Sequence, residues 1–258
     1  MSLGRKAKVV FMEGRHTEAL AAFLDAAREG DAEAAFDYAF SRQFGFGKDK
    51  DEREARSFYN YAKEHIPDAL YNLAVMYMHG AGGERNYRLA YEYMRDAAAG
   101  GVIEAQLYLG IAHTMGTMLE PDIIAISHLP YHTPIVRDAT LLIEGEVPDA
   151  LADEEARMRA VRFDPHAAFE WFRIAARHDR TYVEALSVQS KYLYARCFVD
   201  GLGTDFDRKR AEDLMLVAAD AGSPDALAFL EERAPYRLEE LKNKEAISAI
   251  RTAAGLPE

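Results

Sequence analysis

Three histidines, His113, His128 and His132, lie close together in the middle of the chain, and imidazole nitrogens are ordinary zinc ligands. Pro130 falls between the last two, so they cannot share a helical face as an H-E-x-x-H pair does. His113 takes the place that Tyr77 holds one repeat earlier, a position for a packed ring. Glu144 and Glu146 flank Gly145 and could be imagined as paired acid/base carboxylates, but acids around a glycine read as a solvated helix end. Cys197 is the one cysteine, so no disulfide forms within the chain. It lies in an apolar helical pattern, where a buried thiol is expected rather than a nucleophile. The acidic runs 47–51 and 203–207 lack the alternating ligands and closing glutamate of a calcium loop. These residues predict no catalytic site, no metal and no cofactor, and the chain is not expected to be an enzyme.

Most of the acidic candidates make better sense as parts of a scaffold. Asp51, Asn86, Asp164 and Asp207 each stand four residues before an alanine, Ala55, Ala90, Ala168 and Ala211. Asp and Asn accept hydrogen bonds from the free amides of a helix's first turn, so all four are predicted N-caps. Pro165 follows Asp164 at the position where a missing donor costs nothing. Upstream of the caps the chain repeats itself with a period of about 35 residues. From Ala34, Ala69, Ala105 and Ser190, four places on come Tyr38, Leu73, Leu109 and Tyr194, and next to them the small Ala39, Ala74, Gly110 and Ala195. Eleven places on, Gly45, Gly80, Gly116 and Gly201 end a first helix, where a left-handed residue is wanted. A second glycine follows at Gly47, Gly82 and Gly203, but the third unit has Met118 there. Each unit is therefore a first helix, a glycine turn and a second helix, and the whole is an all-α stack of helix pairs.

The composition fits this architecture. Of 258 residues 49% are hydrophobic and the net charge is -12, which disfavours attachment to nucleic acid or anionic membrane and inclines the surface towards basic partners. No apolar run is long enough to span a membrane, and the basic stretch at 1–10 has no long apolar segment behind it, so no signal peptide and a cytoplasmic setting are expected.

The run from Asp68 to Gly83, followed by 86–90 (Asn-Tyr-Arg-Leu-Ala) and 97–101 (Ala-Ala-Ala-Gly-Gly), resembles the Sel-one-like repeat (SLR) family of the tetratricopeptide-like superfamily. Its pattern runs A-x-x-x-L-G-x-x-Y-x-x-G-x-G, then D-x-x-x-A, then A-A-x-x-G. The resemblance covers about 200 residues. It implies a right-handed α-solenoid and a non-catalytic adaptor that assembles protein complexes. Its divisions would be one solenoid domain over 1–258: an N-terminal cap 1–30, repeats at 31–66, 67–101, 102–180 and 181–223, and a C-terminal cap 224–258 containing a helix over about 237–253. The cysteine pairs of one branch of the family are missing.

Two breaks in the period remain. The gap from Ala105 to Ala168 is 63 residues, against 21 from Ala34 to Ala55 and from Ala69 to Ala90, leaving 42 extra residues at about 117–164. An extra helical hairpin is expected there, which could decorate the stack, bind a partner or join two copies of the chain. Before the fourth repeat seven residues are added, about two helical turns, predicting one long helix over 181–198.

In tetratricopeptide folds one face of the first helices lines the concave wall. Carried over by register, that face holds Phe36 and Phe40 in the first repeat, Tyr71, Val75, Met78 and His79 in the second, Leu107 and Ile111 in the third, and Tyr192 and Arg196 in the fourth. Acids edge it at Glu33, Asp68 and Glu104, so the expected function is to bind a protein or peptide with basic residues. The alternative is an enzyme or small-ligand-binding protein with a pocket between the insertion and this wall.

Overall fold

A computed structural model describes residues 3–116, 118, 161–178 and 184–256. The insertion therefore lies, apart from its edges, outside the described residues, as do His128, His132, Glu144 and Glu146. Among the described residues every regular element is helical. They are α1 (Leu3–Met12), α2 (His16–Arg28), α3 (Ala32–Phe44), α4 (Glu52–Ala62), α5 (Pro67–His79), α6 (Tyr87–Ala99), α7 (Ile103–Met115), α8 (Pro165–Ala175), α9 (Glu184–Asp200), α10 (Arg208–Asp220) and α11 (Pro224–Arg233). A 3-10 helix (Pro235–Lys242) and α12 (Lys244–Ala254) follow. None of these helices is long and apolar enough to cross a membrane.

The four N-caps behave as the spacing predicts. The carboxylates or amide of Asp51, Asn86, Asp164 and Asp207 accept the backbone N–H three residues on at 2.9–3.0 Å. Each cap residue also donates its own N–H back to a first-helix carbonyl, Asp51 to Arg42 and Asn86 to Tyr77 at 2.8 Å and Asp207 to Phe198 at 3.2 Å. These partners are nine residues apart. In the third repeat Asp164 donates to His113 at 3.1 Å, 51 residues away, so the repeat closes in register around 42 added residues. The Val161 N–H donates to the Gly116 carbonyl at 3.1 Å, which brings the two ends of the insertion together. His113 is buried, and its Nδ1 lies 3.0 Å from the Arg162 carbonyl.

The first glycine of each turn ends its helix, and the second sets the spacing between repeats. Gly47, Gly82 and Gly203 have φ of +79°, +72° and +67°. A Cβ added to them would stand 2.4, 2.3 and 2.0 Å from the carbonyl oxygens of His16, Glu52 and Pro165. Those three residues open the preceding second helices α2, α4 and α8. Each turn thus rests backbone to backbone on the previous repeat, a distance no side chain can share.

The described residues form two compact units, one ending at Val102 and the other starting at Ile103. In the first, the ring of Phe36 on α3 meets Tyr59 on α4 with centroids 5.5 Å apart, over a core that includes Leu73 and Met76. The residues expected as an N-terminal cap hold α1 and α2, which pack on this unit with Ala7, Phe11, Ala19, Leu20 and Phe23. In the second, Gly110 on α7 leaves room for the ring of Phe172 on α8, which would overlap a Cβ at 2.5 Å. The long helix of the fourth repeat is α9, 17 residues against 13 in α3, α5 and α7. Its Ser187 and Lys191 donate to the His178 carbonyl at 2.7 and 3.3 Å, and His178 Nε2 lies 3.0 Å from Gln106 Oε1. Cys197 is buried, donates to the Leu193 carbonyl at 3.3 Å, and burial pushes its thiol up to about 12.

One helix differs from expectation. The segment expected as a single helix over 237–253 is broken at Asn243, whose side chain accepts the Ala246 N–H at 3.2 Å and caps α12. The preceding residues tighten into the 3-10 helix. Leu238, Leu241, Ile247 and Ile250 still face one core, so the amphipathic pattern survives the break.

The turn geometry makes Gly80 and Gly82 unequal. Gly80→Ala is expected to cost about 1 kcal/mol, for a left-handed alanine alone. Gly82→Ala is expected to cost about 3 kcal/mol or more, because the turn must also back away from α4. Urea unfolding of the two variants measures the difference, and equal costs would show that the close approach is dispensable.

Candidate functional site

The register that predicts a binding face on the first helices puts most of its residues indoors. In the first unit Phe36, Phe40, Tyr71, Val75 and Met78 are buried and His79 is half-buried. Phe40 stacks on Phe46 and meets Phe44 at a tilt, with centroids 5.8 and 4.8 Å away. In the second unit Leu107, Ile111 and Tyr192 are buried and belong to one core, while Arg196 is half-buried. The positions that retain accessible edges are His79, Arg196 and, next to it, Val199.

Tyr192, Arg196 and Val199 form a wall of a groove of about 730 Å³ in the second unit. Asp200 completes that wall from α9. The facing wall is α11, with Asp225, Ala228, Phe229, Glu232 and Arg233. Counting from Ala226 as from the other repeat alanines, Asp225, Ala228 and Glu232 fall at the same register as Gln189, Tyr192 and Arg196. Here Glu231 stands where the other repeats have a small residue, and Pro235 ends the pattern. Arg208, Ala211 and Glu212 of α10 and the exposed Phe206 complete the lining. Phe206 precedes the N-cap Asp207 as Phe163 precedes Asp164, whereas Lys50 and Arg85 stand at that place in the first two repeats.

The charges in this groove are arranged in pairs. Arg196 donates to the Tyr192 hydroxyl at 3.0 Å and to Asp200 at 3.1 Å. Arg233 holds Glu232 at 2.9 Å. Glu212 is buried at the base, where Arg208 donates to it at 2.8 Å, Tyr236 donates its hydroxyl, and Arg237 lies 3.6 Å away. Burial pushes the Glu212 carboxyl up, but the hydrogen bonds from Arg208 and Tyr236 and the charges of Arg208 and Arg237 outweigh it, so it titrates below the usual carboxylate range. Arg237 in turn holds Asp213 at 2.6 Å and Glu240 at 2.5 Å. The 3-10 helix is thereby latched to α10 beneath the groove. Among the described residues no group of three or more His, Cys, Asp or Glu side chains is placed to hold a metal. The arrangement offers two rings, Phe206 and Phe229, for apolar contact and the rim acids Asp200, Asp225 and Glu232 for charge.

The repeat geometry is matched by the comparisons with known proteins. The sequence model described as Sel1 repeat matches residues 32–65, 67–102, 103–125, 159–179 and 188–223. The chain belongs to the Sel1 repeat family. The third and fourth stretches are the two ends of the interrupted repeat. Protein sel-1 homolog 2 of Mus musculus and of Rattus norvegicus are each 35% identical over 88 residues, which is 33% of this chain and 13% of each relative. A crystal structure of a Sel1 repeat protein from Oxalobacter formigenes superposes over 84% of this chain and 49% of that one, with a TM-score of 0.60 at 20% identity. At that identity the likeness is one of fold.

Glu212 is the keystone of the latch, and removing it leaves Arg208, Tyr236 and Arg237 around a hole. Glu212→Leu is expected to cost about 2–4 kcal/mol, whereas Glu232→Leu at the exposed rim should cost less than about 0.5 kcal/mol. Thermal or urea unfolding distinguishes them, and similar losses would dismiss Glu212 as a structural anchor.

Proposed function

We propose that this chain is a non-catalytic protein-binding scaffold and that the groove between α9 and α11 receives a short peptide segment of its partner. The carrying observation is the groove itself, walled on both sides by register positions expected on the binding face, with rings and charges interleaved along it. Membership of a repeat family whose members are generally protein-interaction scaffolds supports the same reading. The sel-1 homologs are much longer than the matched stretch, so the function of those whole proteins is not carried over.

The preferred partner segment is basic with an apolar anchor. Acidic and basic residues nearly balance up to Val102, 16 against 14, whereas beyond it 27 acids face 17 bases. That imbalance favours encounter with a cationic segment. Asp225 and Glu232 would meet its charges, and Phe206, Phe229 and Val199 its apolar side chain. In the first unit Phe36, Phe40, Tyr71, Val75 and Met78 are buried and shape the first helices from within, so of that row it is the half-buried His79 that is proposed to reach a partner.

A phage-displayed library of random peptides tests this directly. Enriched sequences should combine Lys or Arg with an aliphatic or aromatic residue. Phe229→Ala should weaken them at least about tenfold, and Tyr61→Ala, an exposed ring of the first unit, should leave them unchanged. Enrichment of acidic peptides, or binding indifferent to Phe229, would refute the assignment.

A further inference from the structure

A second feature, in the first unit and independent of the groove, concerns the end of the stack. Asp37 lies on α3 beneath α1, 8% exposed, in a repeat position filled by Asn72 and Tyr108 further on. It borders a void of about 10 Å³ with Phe11, Phe23, Phe40, Ser41 and Lys8. Ser41 spends its hydroxyl hydrogen on the Asp37 backbone carbonyl at 2.8 Å. Lys8 of α1 places its ammonium 3.2 Å from Asp37 Oδ2 as an ion pair and shares it with Glu33 at 3.8 Å.

The other charges around the carboxyl do not help to ionise it. Asp31 and Glu33 at the start of α3 repel a negative charge there. From α4 the nearby titratable group is the buried Tyr59 phenol, which feels Asp37 as a negative neighbour, and α2 contributes the ring of Phe23. One lysine, itself partly in water, stands against burial among three phenyl rings and two acids.

We propose that α1 is a pH-sensitive end cap, held down while Asp37 carries a proton and loosened when that proton is lost. A neutral carboxyl sits under α1 at little cost, while a carboxylate must give up its water to stay there. Opening α1 returns Asp37 to solvent and uncovers Ala34 and Tyr38 of α3 and Phe23 of α2, the residues that Ala7 and Phe11 cover. Burial pushes the Asp37 carboxyl up to about 7, with Lys8 pulling the other way. A raised carboxyl favours the docked state most below its free value, about 4, and that advantage is lost as pH rises through about 7. Docking therefore weakens as the solution turns from acid to neutral and levels off above neutrality.

Hydrogen–deuterium exchange of the intact chain tests this, read as the protection of α1 amides relative to those of α6 and compared at each pH with Asp37→Asn. The wild-type protection should fall by up to about tenfold per pH unit towards neutrality and then level, while the variant stays flat. Lys8→Met should move the levelling point to higher pH, since the ammonium no longer favours the charge. Parallel profiles for wild type and Asp37→Asn would overturn the proposal. So would equal losses in α1 and α6, which would make the change global.

Discussion

The contact on which this fold depends is made by backbone alone. At Gly47, Gly82 and Gly203 the turn between paired helices presses on the first carbonyl of the preceding second helix, closer than any Cβ permits. Repeat proteins are stabilised by nearest-neighbour interfaces, and an interface of bare backbone fixes spacing more tightly than side chains can. Alanines and glycines on the helices serve the same end, as Gly110 does under Phe172. The large residues then fill what the small ones leave. The N-cap amides, each returning a hydrogen bond to its own first helix, set the angle within a repeat as the glycines set the distance between repeats.

Polar groups fasten the outermost described helices. Lys8 and Asp37 meet at the N-terminal end, and Glu212, Tyr236 and Arg237 at the C-terminal end. Charge is buried within the repeats as well, at Arg42, Glu104 and Lys191.

Distance along the chain explains what could be read from it and what could not. The caps at Asp51, Asn86, Asp164 and Asp207, the helix-ending glycines and the 42-residue interruption follow from local rules, because each residue acts within a few positions of itself. The buried thiol of Cys197 and the packed ring of His113 follow from register. The break at Asn243 was hidden because an asparagine inside an amphipathic pattern differs from a cap only in whether the chain bends. The α11 wall escaped because a glutamate and a proline obscured a repeat that its alanine and leucine, Ala226 and Leu230, still keep. Neither Asp37 with Lys8 nor Glu212 with Arg237 carries a spacing rule, since their partners are brought together by tertiary packing. The exposure of a face is equally invisible in register: Phe36 and Tyr71 sit where a binding row belongs and are buried.

The interrupted repeat has a consequence for how such chains diversify. Its two strands of entry and exit meet at one hydrogen bond between Gly116 and Val161, and the next bond, from Asp164 to His113, restores the phase that every other repeat keeps. The scaffold therefore does not register how many residues pass between those points, only that they begin and end side by side. A junction of that kind works as a socket: α7 and α8 keep the pairing of an uninterrupted repeat although 42 added residues separate them in sequence.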